Sequence, residues 1–596
     1  MESTDSLANL SGPKTAAYHD VQERMMRQTL EALWFEGILN RTETGGIWRT
    51  DGVGRDGKPV AYTCEAEEKF SFGRVKIVKD SIQRAGEPCA DLHLFVEELV
   101  LGNLQGERID SFIQELLETL AKDSQCRAEL PERVPDGDKH YDALESHMTD
   151  GHLYHPSYKS RLGFTLTDNL AYGPEFNRNI RLHWVAVKQE LADMALSAGC
   201  SAEEIYGQHL TENDRRRFGR MLEKEGDGSA YVLIPVHPWQ WEHRLETVFT
   251  RQRLSRELIP LGVSDGNYRA QQSIRTLSHR DRAEASYIKL SLSITNTSTG
   301  RILAHHTTQN APLISDWLDG LIRQDELLRR VRFGILKEVM GLSLRYERLP
   351  RIQYRSAYGT LGAIWRESVS ARLREGEEAW PLNALMLVQK NGEPFIRDVI
   401  GRHGIGRWSE ALVRTLTLPM IHLLYAHGIA LEAHAQNIIL VLEDGLPSRI
   451  IVKDLHDGVR YVPDKLLFPE LAPKLYPEPE THRRFNRYSF IHAKAAPEVR
   501  DYTYDAFFFI CMTEIALTLE RFGLSEREFW GLCAATIAEY QRQFPEYRER
   551  FKWFDLFAAD ALIEEMTKRR LYGDGELHFR KASNPLRLAR ESLSLL

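Results

Sequence analysis

The first 140 residues show two patterns of hydrophobic and polar positions. Residues 18–40 and 107–125 have apolar side chains at intervals of three and four, which predicts two amphipathic helices. Residues 58–79 lie between them and alternate in a way that is typical of strands. The polar stretch 129–142 contains turn-forming residues, and it is the first plausible boundary between parts of the chain.

The middle of the chain mixes helical and strand patterns. The apolar spacing in residues 177–198 predicts a helix that ends at Gly199. Residues 231–238 and 286–298 are rich in β-branched residues and end in turn formers, so both are predicted strands.

The last 190 residues are predicted to be mostly helical, with one hairpin. Residues 409–427 carry an apolar stripe, with an expected kink at Pro419 and a C-terminal stop at Gly428. Strands are predicted over 438–443 and 449–455, joined by an Asp-Gly turn. The overall pattern is that of an α+β protein in three parts.

Composition and charge exclude several classes of protein. The chain has 596 residues, 42% of them hydrophobic and 27% charged, which is typical of a folded globular protein. Its net charge of −8 argues against a general nucleic-acid or anionic-membrane partner. The six cysteines form no CxxC pair, and neither a signal peptide nor a membrane span is visible, so we expect a cytoplasmic protein.

The most informative candidate site lies between residues 428 and 454. A predicted helix ends, a loop presents Glu432, His434, Gln436 and Asn437, and a hairpin leads back to Asp454. Kinase-like folds use this order of elements to hold a divalent metal on nucleotide phosphates. Amide and carboxylate oxygens are hard ligands that suit Mg²⁺, although a polar turn and a strand-end aspartate can each be purely structural.

A second candidate site combines hydroxyl groups with basic side chains. Ser273, Arg275 and Thr276 precede a predicted strand that Lys289 and Arg301 bracket. Guanidinium, ammonium and hydroxyl donors together suit phosphates and carboxylates, although any one of them alone is more often a solvated surface group.

A third basic segment covers residues 151–164. It contains His152, His155, Lys159 and Arg161 but no cysteine or close acidic residue, which favours contact with an anion over zinc binding. The chain has no GxxxxGK[ST], GxSxG or HExxH sequence, so P-loop NTPases, α/β-hydrolases and the common metalloproteases are disfavoured.

These segments together resemble one protein family, the NRPS-independent siderophore (NIS) synthetases of the IucA/IucC type. The resemblance covers about residues 140–590 and rests on eight motifs in family order: GHLYHPSYKSRLGF (151–164), YGPEF (172–176), IPVHPWQW (234–241), SIRT (273–276), KLSLSITNTSTGR (289–301), WRES (365–368), GIALEAHAQN (428–437) and VKD (452–454).

The resemblance implies a cupped hand with a kinase-like palm. We therefore expect a mostly helical thumb over 1–138, fingers with the ATP- and carboxylate-binding motifs over 139–402, and a palm with the metal-binding loop over 403–596. Family members use ATP and Mg²⁺ to adenylate a carboxylate, commonly citrate. They then pass the acyl group to an amine or hydroxyl and release pyrophosphate and AMP. We also expect a homodimer.

The resemblance also implies roles for individual residues. Nucleotide contacts are expected from His152, His155, Lys159, Ser273, Arg275, Thr276, Lys289, Glu432, Asn437 and Asp454. Glu432, Asn437 and Asp454 would also hold Mg²⁺, and Thr297, Arg301 and His434 would bind citrate carboxylates. Arg275, Lys289, Arg301 and His434 are the expected catalytic residues, with His434 as either a base or a carboxylate ligand.

Two other classes of function are weighed against this one. A kinase-like phosphotransferase acting on a small molecule is the alternative, but it would need a catalytic Asp where Ala433 and His434 stand. C-terminal halves in the family are often compared with a ferric-iron reductase, which needs a cysteine cluster near its end. No cysteine follows Cys533, so iron–sulfur chemistry is disfavoured. The carboxylate and the nucleophile stay open.

Overall fold

A computed structural model gives the structure of residues 13–297, 299–484, 490–573 and 577–593. Residues 1–12, which the expectation about a signal peptide concerns, lie outside the described residues. Within the described ranges, no helix is long and apolar enough to cross a membrane. The structure is a mixture of helices and mainly antiparallel sheets.

The longer helices confirm most of the predicted ones. Their bounds are Pro13–Phe35, Ile109–Glu129, Ala202–His209, Glu212–Glu223, His305–Gln324, Ile405–His422, Ala496–Thr503, Glu526–Gln543 and Pro585–Leu593. Shorter helices are Leu92–Val96, Tyr141–His147, Leu166–Tyr172, Pro238–Gln240, Glu246–Val248, Thr250–Leu254, Glu326–Arg330, Arg351–Ala357, Arg397–His403, Thr513–Leu519, Arg548–Trp553 and Met566–Tyr572.

One antiparallel sheet of six strands carries the basic motifs. Its order is Tyr268–Ala270, Thr276–His279, Tyr287–Leu290, Gly362–Arg366, Glu338–Leu344 and Ala192–Leu196. The predicted strand over 286–298 is confirmed as two strands, because the chain leaves this sheet after Leu290 and forms a hairpin of Leu292–Asn296 with Thr299–Arg301.

A second sheet of four strands contains the predicted C-terminal hairpin. Its order is Gly334–Ile335, Leu446–Val452, Ile438–Glu443 and Glu377–Pro381. The two hairpin strands pair antiparallel from Ile438 opposite Val452 to Glu443 opposite Leu446, around the Asp-Gly turn. This hairpin ends two residues before Asp454, so it fixes where that carboxylate enters the site.

The remaining strands form smaller sheets. The N-terminal sheet has Thr42–Thr44, Ile47–Val53, Pro59–Glu68, Gln83–Arg84 and Glu87–Pro88 in that order, with Val75–Ile77 also on Pro59–Glu68. A three-stranded sheet has the order Leu258–Val263, His183–Lys188 and Tyr231–Val236. Two-stranded sheets pair Ile429–Leu431 with Val459–Tyr461 and Asp560–Glu564 with Phe579–Ser583.

The predicted helix over 177–198 is wrong. This segment forms the strands His183–Lys188 and Ala192–Leu196, which belong to two different sheets. Trp184, Val185 and Ala186 are all fully buried in succession, so the first strand is covered on both faces. Such a strand lacks the alternation that distinguishes strands from helices, which is why the apolar spacing misled the prediction.

The predicted helix over 409–427 is confirmed, but its last turn is unusual. The α-helix Ile405–His422 contains Pro419 and continues as a single π-helical turn, Leu423–His427. Gly428 then ends it with φ +75°. A Cβ at this position would lie 2.6 Å from the carbonyl oxygen of Lys465, so a larger residue cannot take its place.

Two large hydrophobic clusters form the core. One joins side chains from the N-terminal segment, such as Leu30, to side chains from the C-terminal half, such as Phe508. The other lies entirely between Ile180 and Trp365. The ends of the chain therefore share one core, and the middle of the chain has its own.

Candidate active site

The SIRT turn lies at the start of a central strand of the six-stranded sheet. Ser273 Oγ donates to Thr276 Oγ1 at 2.7 Å and accepts from the backbone N–H of Thr276 at 3.1 Å. Ile274 has φ +69°, a strained conformation for a β-branched residue and one found most often at functional sites. Thr276 pairs across the sheet with Lys289, so the turn lies next to a buried lysine.

Asp454 lies just beyond the strand Leu446–Val452 and has φ +64°. Its carboxylate forms an ion pair with Arg366 and lies 3.2 Å from Lys289 Nζ. Burial alone would raise the pKa of Asp454, but Lys289 and Arg366 hold it well below its usual range. A Cβ at Gly458 would lie 2.4 Å from the Asp454 carbonyl oxygen, so glycine is needed for this turn.

Two further side chains extend this ion-pair network. Lys289 Nζ lies 3.2 Å from Nε2 of His456, and the other ring nitrogen of His456 contacts Glu338. The second carboxylate oxygen of Glu338 is buried and makes no hydrogen bond with any described residue. Ligand atoms of Glu338, Asp454 and His456 all lie within 4.8 Å of one another.

Arg275 and Arg301 lie close to this network, and their hydrogen bonds to described residues go to carbonyl groups. Arg275 Nη1 donates to the carbonyl of Ile302 at 2.7 Å, and Arg301 Nη2 donates to that of Asn296 at 3.0 Å. Burial, with repulsion from Arg301, lowers the pKa of Arg275 to about 10. Burial also lowers the pKa of Arg301. A buried and a half-buried cation that are held mainly by carbonyl groups are well suited to bind an anion.

The loop after the strand Ile429–Leu431 carries Glu432 and Asn437. The backbone N–H of Glu432 donates to the carbonyl of Gly458 at 2.7 Å, and Asn437 Nδ2 donates to the carbonyl of Glu432 at 3.0 Å. Burial and the nearby negative charge of Asp454 raise the pKa of Glu432 to about 7. A cation bound here would therefore stabilise the ionised form of Glu432.

Burial favours the neutral form of His434. It lowers the pKa of this imidazole to about 4, and Lys453 and Arg301 oppose the raising influence of Asp454. The structure also brings His152 into electrostatic reach of His434, and burial lowers the pKa of His152 to about 4 as well. A neutral imidazole has one nitrogen that can accept a proton and one N–H that can donate a hydrogen bond, so His434 could do either.

Thr297 lies at the tip of the hairpin that ends with Arg301. Its φ of +60° is, like that of Ile274, strained for a β-branched residue. Segment 151–164 packs against this hairpin, since the backbone N–H of Leu162 donates to the carbonyl of Thr295 at 2.7 Å. The second and third candidate segments of the sequence are therefore in direct contact.

Lys159 forms a separate, neutralised network. Its Nζ lies 2.6 Å from Asp123 and 3.0 Å from Glu175, and Arg161 lies 2.7 Å from Glu175. Burial alone would lower the pKa of Lys159, but Asp123 and Glu175 raise it above its usual value. The contacts of Lys159 are thus with buried carboxylates, and its predicted nucleotide contact stays a prediction.

His155 is also fully buried. Its Nδ1 lies 3.1 Å from the hydroxyl of Ser157, and its Nε2 makes no hydrogen bond with any described residue. Burial lowers its pKa well below the usual value. Repulsion from His152, Arg569 and Arg570 adds to the lowering of the His155 pKa. His152 in turn interacts electrostatically with His434, so it connects segment 151–164 to the loop that carries His434.

Sequence reasoning missed three members of the network: Arg366, Glu338 and His456. Arg366 stands in the WRES motif, but the sequence gives no sign of its ion pair with Asp454. Glu338 lies opposite Arg366 on the neighbouring strand, a register that only the folded sheet creates. The one local signal is at His456, which follows Asp454 by two residues.

The donor set is compatible with a divalent cation. Glu432 and Asp454 supply carboxylates whose charges repel each other, and Glu338 has an orphaned buried oxygen. Asn437 is held against Glu432 and can supply an amide oxygen. Hard oxygen donors of this kind suit Mg²⁺, so Glu432, Asn437 and Asp454 could hold such an ion.

Comparison with known protein families gives matches to both halves of the chain. Residues 140–387 match the IucA / IucC family, and residues 406–578 match the family described as ferric iron reductase FhuF-like transporter. All six cysteines are free, and neither of the two groups of potential metal ligands in the described ranges contains one. The second match therefore brings no cysteine cluster with it.

Individual relatives match nearly the whole chain. A 2-[(L-alanin-3-ylcarbamoyl)methyl]-3-(2-aminoethylcarbamoyl)-2-hydroxypropanoate synthase of Staphylococcus aureus is 38% identical over 95% of this chain and 92% of its own. A citryl-spermidine/3,4-dihydroxybenzoyl-citryl-spermidine:spermidine ligase of Bacillus anthracis is 35% identical over 96% and 94%.

A solved structure agrees with these matches. The petrobactin biosynthesis protein AsbB of Bacillus anthracis superposes with a TM-score of 0.88, at 34% identity, over 97% of each chain. Because such similarity extends along the whole chain, this protein belongs to the IucA/IucC family of siderophore synthetases.

Proposed function

We propose that this protein uses ATP to adenylate a carboxylate and then joins the acyl group to an amine or hydroxyl, releasing AMP and pyrophosphate. The observation that carries this proposal is a group of three cations beside the acidic loop: Arg275 and Lys289, which are buried, and Arg301, which is half-buried. Burial lowers the pKa of each of them, so a bound anion would restore the stability of their charged forms.

The charge balance of the proposed reaction needs such a site. ATP carries about four negative charges and citrate about three at neutral pH, so the two repel each other strongly in water. Arg275 and Lys289, with the hydroxyls of Ser273 and Thr276, would bind phosphate oxygens. Arg301, Thr297 and His434 would hold the carboxylates and orient one carboxylate oxygen toward the α-phosphorus.

The relatives support citrate or a citryl derivative as the carboxylate. One is named as a citryl-spermidine:spermidine ligase, and the name of the other describes a 2-hydroxypropanoate that carries two amide groups. Both names combine a citrate-like acid with amines, so we propose a polyamine, a hydroxylated diamine or an amino acid as the nucleophile. A hydroxyl nucleophile is the second possibility.

A neutral His434 can serve this chemistry in two ways. As a hydrogen-bond donor it would hold a citrate carboxylate beside Arg301, and as a base it would take the proton of the attacking amine. We favour the first role, because Arg301 lies close enough to His434 to lower the pKa of its imidazole. Mg²⁺ held by Glu432, Asn437 and Asp454 would neutralise phosphate charge.

We also propose the cupped-hand division of the chain, with a thumb over 1–138, fingers over 139–402 and a kinase-like palm over 403–596. The contact between Lys289 and Asp454 supports it, because these side chains come from the proposed fingers and palm. The proposed homodimer follows from the family resemblance alone, and the proposed cytoplasmic location rests on the scattered free cysteines.

Product analysis tests the proposed function. Wild-type protein incubated with MgATP, citrate and a panel of amines should form AMP and pyrophosphate in equal amounts, only when a suitable acid is present. Formation of ADP without pyrophosphate would instead favour the phosphotransferase. Arg301→Lys is a useful comparison, because it keeps the charge but loses the fork that matches a carboxylate.

A further inference from the structure

Three side chains with metal-binding groups converge at the end of the long helix Ile405–His422, apart from the candidate active site. Oδ2 of Asp325 lies 2.8 Å from Nε2 of His422 and 3.0 Å from Nε2 of His427. All three potential ligand atoms lie within 4.8 Å of one another. The two histidines are 2% and 3% exposed, so water has little access to their rings.

The π-helical turn is what brings the two histidines together. Residues five apart in an α-helix of 3.6 residues per turn point about 140° away from each other. The turn Leu423–His427 has π-helical bonding instead, and the N–H of Gly428 donates to the carbonyl of Leu423, five residues earlier. The imidazole rings of His422 and His427 are consequently only 5.5 Å apart. Single π turns are rare and frequent at functional sites.

Asp325 reaches the histidines from another part of the fold. It connects the helices His305–Gln324 and Glu326–Arg330, and its Oδ1 caps the second helix by accepting the N–H of Leu328 at 2.8 Å. Because this bond fixes the carboxylate, Oδ2 is directed at the two imidazoles.

Tyr540 completes the surroundings. Its hydroxyl lies 2.8 Å from Nδ1 of His422. Metal-binding histidines usually donate their other ring N–H to such a partner, which fixes the tautomer and the orientation of the ring. Phe544 packs against His422, and Phe468 packs against His427, with ring centroids 5.9 and 6.4 Å apart.

We infer that Asp325, His422 and His427 form a site for a divalent transition metal, and that zinc is the ion it takes. Two imidazoles and one carboxylate are a recognised zinc ligand set that leaves a fourth position for one further ligand. Tetrahedral bonds of about 2.0–2.1 Å place ligand atoms about 3.3 Å apart. The contacts of Asp325 with His422 and His427, now 2.8 and 3.0 Å, therefore need to open by only about 0.3 to 0.5 Å.

The site would connect distant segments to the candidate active site. His427 is the last residue of the π turn, and the strand Ile429–Leu431 leads from it to Glu432. An ion bound to Asp325 and both histidines would hold the start of this strand to the Asp325 helix junction. The competing explanation is a purely hydrogen-bonded group, in which both imidazoles donate to the carboxylate.

Metal analysis of the full-length protein distinguishes a zinc site from a purely hydrogen-bonded group. Wild-type protein dialysed against a weak chelator should keep about one equivalent of zinc, and His427→Gln should keep none, because a ligand has been lost. After zinc removal, added Co²⁺ should give the visible absorption of a low-coordinate cobalt site. His427→Gln should weaken its cobalt affinity at least about 100-fold.

Two further variants complete the test. Tyr540→Phe keeps all three ligands and should weaken cobalt affinity by roughly 10- to 100-fold. His209→Gln is the matched control, because His209 is equally buried and hydrogen-bonded but lies outside the cluster. Its metal content and cobalt spectrum should equal those of the wild type. Wild-type protein that binds neither zinc nor cobalt at this stoichiometry, or a His427→Gln variant with unchanged binding, would overturn the inference.

Discussion

Two buried basic clusters of this synthetase have opposite electrostatic character. Around Lys159 and Arg161, the carboxylates of Asp123 and Glu175 raise the pKa of each cation above its usual value. Around Arg275, Lys289 and Arg301, burial lowers the pKa of each cation, and repulsion between neighbours adds to this for Arg275 and Lys289. Both clusters come from motifs that the sequence marks as anion-binding, yet only the second lacks enough negative charge of its own.

The direction of the pKa shift distinguishes buried charges that stabilise the fold from buried charges that need a bound anion to be neutralised. A buried ion pair with good geometry is internally satisfied, and removing one partner leaves an uncompensated charge. A group of under-neutralised buried cations is instead unfavourable until an anion arrives, which is a property of binding and catalytic sites. Asp454 belongs to the second cluster and neutralises part of it through Lys289 and Arg366.

The largest effect on activity is expected from Arg275→Ala. The lost contact with phosphate in a buried site costs about 2–5 kcal/mol, which corresponds to a fall in kcat/KM of roughly 30- to 5,000-fold. The midpoint of urea unfolding should change little, because the variant also removes repulsion from Arg301. A folded variant with near wild-type turnover would contradict the assignment.

The reverse result is expected from Lys159→Met. This change leaves Asp123 and Glu175 under-neutralised in the interior, so the free energy of unfolding should fall by about 3–5 kcal/mol. Turnover per folded molecule should stay close to that of the wild type at a temperature where the variant is folded. Unchanged stability together with lost turnover would mean that Lys159 binds substrate.

Asp454→Asn should lower both the turnover and the stability of the protein. Replacing the carboxylate by an amide weakens the proposed magnesium ligand, and turnover at saturating Mg²⁺ should fall about 30-fold or more. Because Lys289 and Arg366 lose their counter-ion, the unfolding midpoint should fall as well. An unstable variant with full activity would make Asp454 a structural residue alone.

A smaller effect is expected from pH acting on Glu432. With a pKa raised to about 7, this carboxyl is protonated below that pH and charged above it. Magnesium must compete with that proton, so the concentration of Mg²⁺ for half-maximal rate should rise up to about tenfold per pH unit below 7. In Glu432→Gln the dependence should disappear. A requirement that is constant between pH 5.5 and 7.5 in the wild type would exclude Glu432 as a ligand.

The smallest effect is expected from pH acting on His434. Its pKa of about 4 keeps it neutral, so the ratio of citrate-dependent pyrophosphate exchange between wild type and His434→Ala should stay constant within about twofold from pH 5.5 to 7.5. If this ratio instead decreases as the pH drops below 6.5, His434 titrates near its ordinary pKa. Parallel loss of exchange and amide formation in His434→Ala would favour the carboxylate-binding role, and loss of amide formation alone would favour the base.

The sequence predicts the local parts of the site better than the contacts between them. The hairpin 438–452 and the position of Asp454 after it follow from local patterns, and the structure agrees. The strand His183–Lys188 was misread because both of its faces are buried. Lys159 and Arg275 look alike in sequence, since the acidic partners of Lys159 are 36 and 16 residues away.

The most direct test of the central claim is a calorimetric titration of MgATP into a matched pair of variants, Arg275→Met and Lys159→Met. Both replace a buried cation by a flexible apolar side chain, and both are measured where the protein is folded. The account predicts that Arg275→Met weakens nucleotide binding by at least about 30-fold, while Lys159→Met binds like the wild type. Equal loss of binding in both variants, or loss in Lys159→Met alone, would contradict it.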